Sequence, residues 1–298
     1  MSELAAADRA RLRAWFADQK RRTAEAGTAP KSLDFDLTAR DVFASAPAAQ
    51  GGALGVDFVV ACKALVRVDV GRCVPTISSR PRKTTLKIKQ RIDQDGIGGV
   101  VWHCGRALAT MLPRLPELRG AQVGAFTTGT RVLDLGCGTG LVGLACWLRG
   151  ADVTLTDLPS VVDLALENCK ANVLSEGEAL PASLRVVAHA WGSCARALGP
   201  PFDVVVASDC LYDAKALPDL KATLLSVTDA GSVVYLAYKR RVEEREAPFF
   251  ADLEEHFSSI KFSQADETPA EWRGNGLHLC RIAGKRDPPR RTVHASYT

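Results

Sequence analysis

Residues 131–157, RVLDLGCGTGLVGLACWLRGADVTLTD, decide the fold. RVLDL is a short apolar run, the signature of a strand covered on both faces. Gly136, Gly138 and Gly140 follow it at alternate positions, which lets the backbone turn tightly and approach a ligand closely. Leu141, Leu144, Ala145 and Leu148 then fall at helical spacing on one face. DVTLTD is a second strand. Strand, glycine turn, helix and strand form the unit of a doubly wound α/β sheet, whose ligands bind at the carboxyl ends of the strands.

The alternation runs on toward the C-terminus. Val161, Leu164, Ala165 and Asn168 keep helical spacing, and LRVVAHA, DVVVAS and SVVYLAY are further apolar strand runs. Asp213 to Val227 and Glu243 to His256 read as helices, and LHLCRIA closes the series. Together these runs predict a parallel sheet with helices on both faces. Upstream, VVWHCGRALATML reads as a helix, and Val56 to Val70 and Thr84 to Lys89 as short strands around an exposed basic loop, PTISSRPRK. Residues 3–26 read as a helix with a partial apolar face, and residues 27–55, rich in Ala, Gly, Pro and Ser, as a linker. The expected organisation is an N-terminal extension at 1–83, an α/β domain at 84–285 and a flexible tail at 286–298.

Composition narrows the function classes. The chain has 298 residues, 47% apolar and 24% charged, the balance of a soluble globular protein. No run approaches the roughly 20 apolar residues that span a bilayer. The N-terminus carries acids and no apolar signal core, so a membrane or secreted destination is not expected and a cytoplasmic one is. Nine scattered cysteines without a C-x-x-C pair predict buried thiols in a reducing compartment, and five histidines without ligand spacing predict no metal site. Net charge is +4, with residues 1–99 holding 17 Lys/Arg against 11 Asp/Glu. That excess reads as a solvated basic extension.

Several residues in the strand-end positions carry chemistry. Asp134 sits beside the glycine turn, where an acid repels a diphosphate and attracts a cationic amino-acid group. S-adenosylmethionine has that ammonium and no phosphate. Asp157 ends the next strand, at the offset of about 20 residues where an acid accepts ribose hydroxyls, although Asp also favours a helix N-cap. In DVVVASDCLYD, Ser208 and Asp209 reach the carboxyl end of a strand and Tyr212 follows at the turn into a helix. An acid and a phenol there can flank an incoming amine; a cap and a core aromatic are the plainer alternatives. Trp102 and Trp191 can stack on adenine or cover a sulfonium, or simply pack.

VVWHCGRALATML, RVLDLGCGTGLVGLACWLRGADVTLTD, AWG, ASDCLYD and YLAYKRRVEEREAPFF occur in an order that resembles lysine methyltransferase family 16 of the seven-β-strand methyltransferases, in particular the methyltransferase-like 21 group. The resemblance covers residues 84–284 and implies a seven-stranded Rossmann-like sheet. It implies that Trp102, Gly136, Gly138, Asp157, Trp191 and Ser208 contact S-adenosylmethionine, and that Asp209 and Tyr212 form a D-x-x-Y element at a lysine channel. It further implies a monomeric enzyme acting on a cytosolic protein such as a chaperone or elongation factor. His103 and Cys104 depart from the residues usual after the family's tryptophan, and residues 1–83 match nothing in it.

Other classes compete on specific features. A nucleic-acid or metabolite methyltransferase is favoured by the basic run from Arg80 to Lys89, but base-methylating enzymes favour a proline-shaped loop where this chain has Asp209-Cys210-Leu211-Tyr212. A nicotinamide oxidoreductase is opposed by Asp134 and by the lack of G-x-G-x-x-G. A non-catalytic binding module is opposed by the intact glycine turn, Asp157 and DCLY.

Overall fold

A computed structural model describes residues 65–70, 85–91, 96–115, 126–127, 129–174, 178–199, 201–240, 243–263 and 276–286. The N-terminal helix and linker expected at 3–55, the whole basic loop and the tail after residue 286 lie outside these residues.

Two antiparallel strands, β1 (Leu65–Asp69) and β2 (Thr85–Lys89), form a separate two-stranded sheet. Each alternates exposed and buried residues, so Val66, Val68, Leu86 and Ile88 point inward together. The main sheet contains β3 (Arg131–Leu135), β4 (Asp152–Asp157), β5 (Leu184–Ala188), β6 (Val204–Ser208), β7 (Val233–Lys239), β8 (Phe257–Phe262) and β9 (Leu277–Lys285). Their spatial order is β5-β4-β3-β6-β7-β9-β8.

The first five of these strands pair in parallel, as their continuous apolar runs predict. The last two correct the all-parallel reading, because β9 is antiparallel to both β7 and β8. β8 left no apolar signal: FSSIKF occupies the sheet edge, where one face is wet and polar side chains are tolerated.

Helices cover both faces. α1 (His103–Met111), α2 (Leu141–Leu148) and α3 (Val162–Val173) accompany the first part of the domain, and α4 (Leu217–Val227) and α5 (Glu243–Glu254) the second. Every residue of α2 is buried, so it is a core helix rather than an amphipathic surface one. Alternate strand residues feed two cores. Val132, Val204, Val206 and Tyr235 pack with α1, α2 and the β1–β2 hairpin; Leu133, Leu135, Val205 and Leu236 pack with α4 and α5. β1 is part of the first core, and its end is tied down where the Arg149 guanidinium donates to the carbonyl of Val70.

Sequential strands step outward from β3 to β4 and β5 on one side, and the chain then returns to place β6 on the other. The crevice of such a sheet opens at that reversal, beyond the carboxyl ends of β3 and β6. Those ends carry Gly136 and Asp209.

Candidate functional site at the sheet reversal

The glycine turn is held open by residues that only glycine can supply. Gly136, Gly138 and Gly140 have φ of 72°, 53° and 82°. A Cβ on Gly136 would stand 3.0 Å from Cζ2 of Trp191 and 3.1 Å from Sγ of Cys210. One on Gly138 would stand 3.0 Å from the carbonyl oxygen of Gly98. The segment before α1 and the loop after β5 therefore both close on the turn.

The amides of the turn point inward. Gly136 N and Cys137 N each donate to Thr156 O at 2.9 Å, Gly138 N to Asp157 Oδ2 at 2.7 Å, and Gly140 N to Cys137 O at 2.8 Å. A pyrophosphate cradle needs such N–H groups aimed at the ligand. Here they are spent within the protein, and two carboxylates stand behind them.

Asp157 is half-buried at the end of β4 and accepts from both Gly138 N and Leu158 N, each at 2.7 Å. It does not cap α3, which starts at Val162 behind the N-cap position of Val161. Burial pushes its carboxyl above the usual range, against the pull of those two bonds. Leu158 beside it is 45% exposed, an apolar surface at the mouth that periodicity had no means of flagging, since it lies outside both strand and helix.

Asp134 sits deeper. It is 1% exposed, and its Oδ2 accepts from Gly143 N at 2.7 Å in the first turn of α2, where the helix dipole favours an anion. Its Oδ1 has no hydrogen-bond partner among the described residues. Desolvation, opposed by the Gly143 bond and reinforced by Asp157, raises its carboxyl to about 7. Because the native carboxyl holds its proton up to that point while the unfolded one releases it near 3.8, this group makes stability fall as pH rises from about 4 to about 7. Asp134→Asn is expected to flatten that part of the profile. Melting temperatures of both proteins at pH 5, 6, 7 and 8 check it; identical slopes would locate the proton elsewhere.

At the end of β6, Asp209 is the one non-glycine residue with positive φ, 58°, among the described residues. Its N donates to Ala237 O of β7 at 2.7 Å, while the neighbouring Cys210 Sγ lies 3.4 Å from Leu135 O of β3. Adjacent strands thus hold both sides of a conformation that Asp tolerates better than most residues. Asp209 is 8% exposed. Tyr212, half-buried, places its ring 6.5 Å from that of Trp191 at 50°. Trp191, over Gly136, therefore links the glycine turn to the Asp209–Tyr212 element.

Ser208 faces α1, since a Cβ on Gly105 would lie 3.3 Å from its Oγ. Trp102 precedes α1 as its N-cap residue and donates its indole N–H to Ile97 O at 2.8 Å, fixing the segment that covers Gly138. The fold thus gathers eight of the nine residues singled out by sequence around one mouth, and seats Asp134 beneath it. Among the described residues no group of three or more His, Cys, Asp or Glu could hold a metal, and no helix is long and apolar enough to cross a membrane.

The profile of a family described as lysine methyltransferase matches residues 81–256. The chain is 35% identical over 139 residues to the EEF1A lysine methyltransferase 3 of Mus musculus, covering 47% of this chain and 58% of that one. It is 32% identical over 183 residues to the protein N-lysine methyltransferase METTL21A of Mus musculus, covering 59% and 76%. The protein-lysine N-methyltransferase EFM6 of Saccharomyces cerevisiae is 29% identical over 198 residues, covering 60% and 78%. The match thus spans a little under two thirds of the first of these relatives and about three quarters of the other two.

Proposed function

The chain belongs to the lysine methyltransferase family, and from that premise we propose that it is an S-adenosylmethionine-dependent protein-lysine N-methyltransferase acting on a cytosolic protein such as a chaperone or a translation factor. Relatives named for EEF1A and for protein N-lysine methylation support a protein substrate. The observation that carries the cofactor reading is the inward set of the turn amides, with the Asp157 carboxyl accepting from one of them at the open end of β4. Such a turn suits a ligand that brings positive charge and no phosphate.

S-adenosylmethionine supplies a methyl group activated by a sulfonium. Asp157 is suited to accept the ribose hydroxyls, and Trp102, Trp191, Ser208 and the two turn glycines to enclose the rest, with Asp134 supporting the turn from below. A free lysine, with a pKa of ~10.4, reaches the site as an ammonium with no lone pair. Asp209 holds and orients that ammonium; a nearby sulfonium and a partly dry channel lower its pKa until the proton leaves to water. Tyr212 then aligns the neutral amine. With the donor bound, the amine nitrogen would bond to the methyl carbon as the carbon–sulfur bond broke and its electron pair left on sulfur, so the contribution of Asp209 and Tyr212 is to hold the nitrogen at attack distance, ~3 to 3.5 Å.

Incubating the protein with a cell extract and S-adenosylmethionine labelled in the methyl group tests this reading. A labelled band that disappears on protease treatment, with methyl-lysine in its hydrolysate, is the expected result. Label confined to nuclease-sensitive material or to small molecules would overturn the protein-lysine assignment.

A further inference from the structure

Two asparagines on α3, one helical turn apart, treat β2 as a sheet would. Asn172 Oδ1 accepts from Lys87 N at 3.0 Å and its Nδ2 donates to Lys87 O at 2.8 Å. Asn168 Oδ1 accepts from Lys89 N at 2.8 Å and its Nδ2 donates to Lys89 O at 3.0 Å. The i, i+4 spacing of a helix face meets the i, i+2 spacing of a strand face, so both carboxamides engage residues on one side of β2. Glu167 adds ion pairs to Lys89 and Arg91 at the rim.

The two clamps differ in where the second Nδ2 donor goes. Asn168 Nδ2 also donates to Thr139 O at 2.9 Å, inside the glycine turn, whereas Asn172 Nδ2 turns back to Asn168 O. Asn168 is 1% exposed, and its bond to Thr139 O is buried, whereas those to Lys89 are partly open to water. Beyond Lys89 the chain continues through Gln90, whose Oε1 accepts from Val101 N at 2.7 Å, and Arg91, whose N donates to Gly99 O at 3.0 Å. These bonds fix the stretch carrying Gly98 and Trp102, which lies on Gly138. One side chain therefore holds the floor of the mouth, at Thr139, and the strand that leads to its cover.

We propose that Asn168 is a positioning residue for cofactor binding, setting the glycine turn and the Gly98–Trp102 segment in register through a single carboxamide, whereas the Nδ2 of Asn172 spends its donors on Lys87 O and Asn168 O. The inference rests on the cofactor reading above. Loss of Asn168 lowers the fraction of protein whose turn and cover are both in place, and apparent affinity falls in proportion to that fraction. The methyl-transfer step itself, once the donor saturates, is untouched.

Calorimetric titration of S-adenosylhomocysteine into the full chain, with melting temperatures measured alongside, separates the roles. Asn172→Ala and Asn168→Ala should lower the melting temperature to a similar extent, because each removes one clamp. Asn172→Ala should leave the dissociation constant within about twofold, while Asn168→Ala should raise it about tenfold, in keeping with the loss of a buried bond. In turnover of the labelled protein substrate, that loss should appear in the donor KM and not in kcat. If Asn168→Ala does not fold, Asn168→Ser serves: its hydroxyl is polar but too short to bridge Lys89 and Thr139, and the same weakening is expected. Equal dissociation constants in the two asparagine variants would overturn the positioning role and leave the cofactor reading standing. Failure of the unmutated protein to bind would overturn both.

Discussion

Asp209→Ala is expected to lower methyl transfer by about a thousandfold, the middle of the range for a group that positions or moves a proton at a reacting atom. S-adenosylhomocysteine affinity should stay within a few-fold of the unmutated value. The split follows from placement. Asp209 lies at the carboxyl end of β6, across the reversal from the glycine turn, and the amides of Gly136, Cys137, Gly138 and Gly140 donate to Thr156, Asp157 and Cys137 instead. Its left-handed backbone is a second source of change on substitution, since alanine tolerates φ of 58° less well. Asp209→Asn separates the two effects, because asparagine accepts that conformation and lacks the charge. Both variants should lose turnover while calorimetry shows binding retained. Full activity in the asparagine variant would remove the carboxylate from the mechanism, and loss of binding in both would make Asp209 a support of the cofactor pocket.

Asp157→Ala should act in the opposite sense, weakening S-adenosylhomocysteine binding by about a hundredfold, as expected when charge-assisted hydrogen bonds to a ligand disappear. The carboxylate also receives Gly138 N and Leu158 N, so its removal frees two amides at the mouth. Asp157→Asn discriminates between these contributions: an amide oxygen can still accept from Gly138 N but carries no charge for a ribose diol. An intermediate loss is expected for asparagine. Affinity unchanged in the alanine variant would refute the ribose assignment, whatever the effect on stability.

The architecture was largely legible because parallel strands buried on both faces leave continuous apolar runs, and RVLDL, DVTLTD, DVVVAS and SVVYLAY are such runs. FSSIKF escaped for the converse reason: an edge strand next to an antiparallel neighbour is half wet, and its pattern is that of a loop. The reversed direction of β9 was equally invisible, since apolar periodicity records burial and not direction. Among site residues, strand-end acids and a glycine turn announce themselves by type and position. Asn168 did not. It kept helical spacing and passed for part of the buried face, which it is, but its partners are backbone atoms of Lys89 and Thr139, remote along the chain.

What the chain determines by itself, then, is the list of chemical groups that reach the carboxyl edge, because strand periodicity ends each run at a countable residue. Tertiary structure alone decided how they divide the work. Asp134 and Asp157 are both acids at strand ends, yet the first is sealed under α2 against Gly143 N and the second opens on the mouth. That difference arises from which neighbour packs over each carboxyl, and therefore from desolvation, a property of the surroundings that the order of residues does not display.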